Sequence, residues 1–161
     1  MRRIGCVTVL MLVLAGPGVV VAAPTTASVV LTDFTFDPPT LRLRVGDEVS
    51  LTVRNDGRTA HEWLIGRGLV RTVEEQGFQQ DLLALLNPRI DGSQYNLEQV
   101  GRRPPGRDSG ATRSSRGISI LPGGTVTLRF TVPANVKGEW AMACFLPGHY
   151  ESGMHGTLVI E

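Results

Sequence analysis

The sequence predicts an all-β fold, a Greek-key β-sandwich of about seven to eight strands carrying a long, partly helical insertion. Three observations point there. Nineteen glycines and ten prolines among 161 residues break helices and suit short strands joined by turns, while a 42% apolar content is too high for a disordered chain. Apolar and polar residues alternate over several segments, the period of a half-buried strand. Turn signals rich in Gly, Pro, Asn and Asp punctuate those segments at short intervals. The length suits one modest domain. Sixteen basic against fifteen acidic residues leave a net charge of +1, so no whole-chain field exists to capture nucleic acid or an anionic membrane, and neither is an expected partner.

Residues 1 to 23 read as a secretory signal peptide. Arg2 and Arg3 precede an apolar run from Ile4 to about Val21, and Val21-Ala22-Ala23 places small residues where a signal peptidase cuts. An uncleaved anchor is the alternative, since the run approaches the ~20 residues of a spanning helix, although Gly16-Pro17-Gly18 would break that helix. The mature chain, 24 to 161, reads as a single domain without a membrane span, periplasmic or secreted. Its first strand covers Ser28 to Phe36 and stops at Asp37-Pro38-Pro39. Leu41, Leu43 and Val45 alternate with Arg42 and Arg44, then Gly46-Asp47 turns the chain into Val49, Leu51 and Val53. Asn55-Asp56-Gly57 marks another turn before a short apolar strand from His61 to Ile65.

Regularity fails from about Gly66 to Gly117, the insertion 66–117. Leu69, Val70, Val73, Phe78, Leu82, Leu85 and Leu86 fall at roughly helical spacing, which predicts one amphipathic helix, weakened by Gly77 and ended by Asn87-Pro88. Its apolar face packs on the sandwich, serves a partner or covers one end as a lid; the sequence leaves all three open. Residues 101 to 117 read as loop, where Arg102, Arg103, Arg107, Arg113 and Arg116 form either a solvated run or a patch steering an acidic partner. Strand character returns at Ile118 to Ile120. Leu121 to Gly124 then turns into Thr125 to Thr131, with Val126, Leu128 and Phe130 on one face. Strands at Gly138 to Cys144 and His155 to Ile160 close the chain, with Trp63 and Trp140 expected in the core.

Loss of the leader also removes Cys6, so Cys144 enters an oxidising compartment with no intramolecular partner for a disulfide. Alone, such a thiol is a small buried hydrophobe or an intermolecular bridge. Its neighbourhood argues otherwise. The penultimate strand ends at Cys144, the last begins near Met154, and the loop between holds His149, so a hairpin brings these three to one end of the sandwich. His61 opens a strand that can lie beside them. A thiolate, two imidazoles and a thioether match the trigonal His₂Cys arrangement with a weak axial methionine that holds copper for electron transfer, whereas zinc prefers a fourth strong ligand. His155 adjoins Met154, and strand alternation sends it to the opposite face and the surface.

Cys144-x₄-His149-x₄-Met154, with an upstream histidine after an Asn-x-Gly turn, resembles the type 1 blue copper proteins, or cupredoxins, with a rusticyanin- and auracyanin-like copper loop. The resemblance covers about residues 28 to 65 and 118 to 161 and says nothing of the insertion. It implies one type 1 copper ion, with His61, Cys144 and His149 as strong in-plane ligands and Met154 axial. It also implies an electron port at His149, ringed by Leu146, Pro147, Tyr150 and Gly153. The expected function is transfer of single electrons between a redox protein donor and acceptor, met transiently by a monomeric carrier that is not an enzyme. The alternative is copper storage, delivery or resistance with the same residues. Enzymatic relatives need a further copper site, for which only His155 remains.

Overall fold

The period-two segments fold as strands in the computed structural model, which describes residues 23–72, 76–100 and 115–161. The expected leader (save Ala23), Val73 and the arginines at 102, 103, 107 and 113 lie outside the described residues. Among the described residues, ten strands and one short α-helix follow in order. They are β1 (Thr25–Thr32), β2 (Thr35–Asp37), β3 (Thr40–Leu43), β4 (Glu48–Asn55), β5 (His61–Arg71), β6 (Gln76–Asp81), α1 (Leu82–Leu86), β7 (Arg89–Val100), β8 (Ser115–Thr131), β9 (Gly138–Ala143) and β10 (His155–Ile160). The count exceeds seven or eight because the insertion itself contributes strands.

Hydrogen-bonded neighbours run β2-β1-β4-β8-β5-β9-β10-β3, with β6 on β5 and β7 on β8. The pairs β1/β4 and β10/β3 are parallel, so the chain crosses between layers there instead of turning back as a hairpin. The ends of this path, β2 and β3, adjoin in sequence, so the sandwich nearly closes into a barrel. Alternation decides which side chains fill it. Along β4, Val49, Leu51 and Val53 are buried, and they meet Val126, Leu128 and Phe130 of β8 across the matching register. Trp63 and Trp140 are both buried in this core, as expected, each with its indole N–H satisfied: by Met142 Sδ at 3.4 Å and by the Val136 carbonyl at 2.7 Å.

Three local expectations change. The predicted first strand is a hairpin, for Asp33-Phe34 turns β1 into β2 with Phe34 at φ 70°. The turn at Leu121 to Gly124 does not end a strand. It is a bulge within β8, whose pairing with β7 jumps from Ser93↔Thr125 to Tyr95↔Ile120. Most of the expected amphipathic helix is a β-hairpin: β5 continues to Arg71 and pairs with β6, Leu69 opposite Phe78. Among the described residues of that segment, Leu82–Leu86 alone is helical, capped by the Asp81 carboxylate accepting from the Ala84 N–H and stopped by Asn87 in the left-handed region, at the predicted Asn-Pro. Central strands override the leucine spacing because β5, already paired with β8 and β9, offers β6 a free stretch of backbone at Gly66 to Arg71. Gly66 permits this approach, since a Cβ there would lie 2.3 Å from Phe78 Cβ.

Candidate metal centre

The loop before β5 delivers His61. Asn55 is buried at the end of β4 and meets its hydrogen-bonding needs within that loop and on β8. Its amide donates to the Thr59 and Ile120 carbonyls, both at 2.8 Å, and its oxygen accepts the Gly57 N–H at 2.8 Å. His61 therefore enters the core at a fixed point, opposite Ile120 of β8. Gly57 lies so close that a Cβ on it would stand 2.6 Å from His61 Nε2.

Cys144 follows β9 directly, and the loop it opens is knitted to itself. The Cys144 N–H donates to the Met154 carbonyl at 3.2 Å, the Met154 N–H to the His149 carbonyl at 3.0 Å, and the His149 N–H to the Leu146 carbonyl at 3.0 Å. Turn bonds fix the spacing of the three residues before any metal arrives. Glu62, buried next to His61, joins the two segments: its backbone N–H donates to Cys144 Sγ at 3.3 Å, and its carboxylate accepts the Phe145 N–H at 3.1 Å.

His61, Cys144 and His149 thus meet, each offering a donor atom within 4.8 Å of the others. His149 Nδ1 stands 3.3 Å from Cys144 Sγ and 3.1 Å from His61 Nδ1. Met154 is fully buried in the same core cluster as Cys144 and is tied through its backbone to both Cys144 and His149. His155 is exposed, its ring 5.1 Å from that of Tyr150, and stands outside the cluster as expected.

Burial sets the protonation of these groups. It pushes the Cys144 thiol up to about 11, partly opposed by the Glu62 backbone N–H. The pKa of the His61 imidazole falls below its ordinary value, first through desolvation and then through His149, with Asp33 opposing. Neutral imidazole is the metal-binding form, and a cation reverses the cost of a buried thiolate by neutralising it. Two borderline nitrogens and one soft sulfur make a donor set suited to copper.

Residues that sequence spacing did not flag frame the site. Phe34 sets its ring edge-on to His149, centroids 5.1 Å apart. Asp33 accepts from the Arg58 N–H at 2.9 Å and from its Nε at 2.6 Å, and these two contacts, the backbone one first, hold the carboxyl below the usual range. The inserted hairpin braces the copper-type loop from behind. Arg71 pairs with Glu151 and lies over the Tyr150 ring at 4.3 Å, while Phe78 packs on Phe145 at 5.5 Å. Only the Asp33 turn carried a local signal, an aspartate in a Thr-Asp-Phe-Thr run.

A β-sandwich that gathers a largely buried His-Cys-His cluster at its loop end is compatible with the type 1 copper site of cupredoxins. No family model matches the chain. The chain is 30% identical over 146 residues to the copper-resistant cuproprotein CopI of Rubrivivax gelatinosus, covering 90% of this chain and 72% of that protein. It is 25% identical over 149 residues to the copper-resistant cuproprotein CopI of Pseudomonas aeruginosa, covering 90% and 81%. Among solved structures, reduced auracyanin from Roseiflexus castenholzii is similar at a TM-score of 0.47 and 19% identity, over 87% of this chain and 99% of that one. The chain belongs to the CopI family.

Proposed function

We propose that the chain is an exported protein that binds one copper ion and passes single electrons to and from transient redox partners. His61, Cys144 and His149 would hold the ion, and Met154, buried and tied by its backbone to the same loop, would offer a weak sulfur. The observation that carries this reading is the preformed cluster of those three donors within 4.8 Å, with His61 and Cys144 buried. Bound copper supplies a Cu(I)/Cu(II) couple. The protein's part is to keep the donors nearly fixed in both states and to exclude water, which the knitted loop and the buried Cys144 and Met154 serve. His149 is the half-buried member, with Pro147 and Gly148 exposed beside it, so its edge is the place for a partner to approach. A small apolar rim suits a brief encounter. Export rests on the leader-like residues 1 to 23, and among the described residues no helix is long and apolar enough to cross a membrane. His155 stands apart from the cluster, which supports a carrier over a self-contained oxidase.

Copper-loaded protein should be intensely coloured, bleach with reductant, recover with oxidant and show a defined potential at one copper per chain. A colourless oxidised form with freely exchanging copper would reject the redox role. A second reading, copper storage, delivery or resistance, is favoured by the names of the CopI relatives. It predicts that cells lacking the protein become copper-sensitive and that a variant binding copper without cycling restores tolerance.

A further inference from the structure

The buried imidazole of His61 has one nitrogen that the metal cluster does not use. Its Nδ1 faces His149, while Nε2 points the other way, sealed from solvent and without a hydrogen-bond partner. An orphaned polar atom in a core costs about 1–3 kcal/mol, so its surroundings reward attention. Facing it is Asp33 Oδ1, 3.8 Å away, on the turn between β1 and β2. That carboxylate is held by Arg58, whose backbone N–H donates to Oδ1 and whose Nε donates to Oδ2. The Gly57 backbone roofs the pair so tightly that a Cβ there would lie 2.6 Å from Nε2 and 2.9 Å from Oδ1.

We infer that Asp33 is the positioning residue for His61: with copper bound it accepts the hydrogen bond of the Nε2–H, which keeps the proton on Nε2, fixes the ring orientation and leaves Nδ1 free for the metal. The inference deepens the copper reading and rests on it. Copper at Nδ1 requires the proton to sit at Nε2, and a histidine that donates its second N–H to a carboxylate is both oriented and made a stronger donor. A stronger nitrogen donor favours Cu(II) over Cu(I). Arg58 keeps the carboxylate in place by a backbone contact to Oδ1, the oxygen that faces His61, and a side-chain contact to Oδ2.

Full-length wild type, Asp33→Ala and Asp33→Asn are to be compared for Cu(II) affinity by chelator competition, for reduction potential, and for the His61 ¹⁵N–¹H signal in the metal-free protein. Asp33→Ala should weaken Cu(II) binding 10- to 100-fold, raise the potential and shift or broaden the His61 signal. Asp33→Asn keeps an acceptor oxygen and should stay within a few-fold of wild type. A role confined to holding the Arg58 loop would lower the melting temperature and leave the potential unchanged. That result, or an Asp33→Ala affinity within twofold of wild type, overturns the inference. If wild type shows no thiolate-to-copper band, the copper reading fails, and the metal-free His61 signal still decides whether Asp33 holds that proton.

Discussion

With its sulfur sealed from solvent, the metal-free Cys144 thiol holds its proton to about pH 11 against an ordinary 9.0. An unfolded chain releases that proton first as pH rises. The folded state then binds more protons than the unfolded one, and stability falls with pH. The contribution is intact below about pH 9 and declines between there and about 11, by an amount on the order of 2 kcal/mol. Thermal melts of metal-free wild type and Cys144→Ala across that range should diverge, wild type losing stability more steeply. Parallel curves would show that the thiol is not buried as described. At this scale the candidate ligands were legible in the sequence: Cys144, His149 and Met154 lie within one short loop, and the chain has only three histidines. Asp33, Phe34 and Arg58 were not, because aspartate and arginine are ordinary surface residues and Asp33 reaches Arg58 and His61 only after folding.

The β5–β6 hairpin is the element that distinguishes this fold from a plain sandwich, and it stands directly behind the metal-binding loop. Gly66→Ala would put a methyl 2.3 Å from Phe78 Cβ and 2.5 Å from the Gln80 carbonyl. The strands must part, at a cost of about 1–3 kcal/mol. Because Phe78 packs on Phe145, next to Cys144, local hydrogen exchange in residues 144 to 154 should rise in that variant by a comparable free energy. A change confined to the hairpin would separate it from the loop. At the helix, Asp81→Ala removes the cap of α1 and the contact with the Arg116 N–H and should cost about 1 kcal/mol in denaturant melts. Leucine spacing disclosed the helix only at its capped end. Leu69 and Phe78 fit a helical face equally well as opposed residues of a hairpin, and only strand pairing with β5 decides between the two.

Across the whole molecule, the candidate ligands come from two distant stretches, the start of β5 and the β9–β10 loop, joined by the hydrogen bond from Glu62 N–H to Cys144 Sγ. The sandwich was readable because alternation and turns are local signals, and its ten-strand total was not, because pairing across the insertion is long-range. Preassembly of the donors implies that copper stabilises the fold without remaking it. At copper about 1,000-fold above Kd, stability should rise by about 4 kcal/mol, a melting shift of roughly 10 °C, with little change in far-UV circular dichroism. The account depends above all on sulfur coordination by Cys144. The most direct measurement is the absorption and EPR spectrum of full-length protein loaded with one equivalent of Cu(II), beside Cys144→Ser treated alike. Wild type should show an intense visible charge-transfer band and the narrow copper hyperfine splitting of a thiolate-bound ion, and the serine variant neither. Matching spectra from the two proteins would contradict the account.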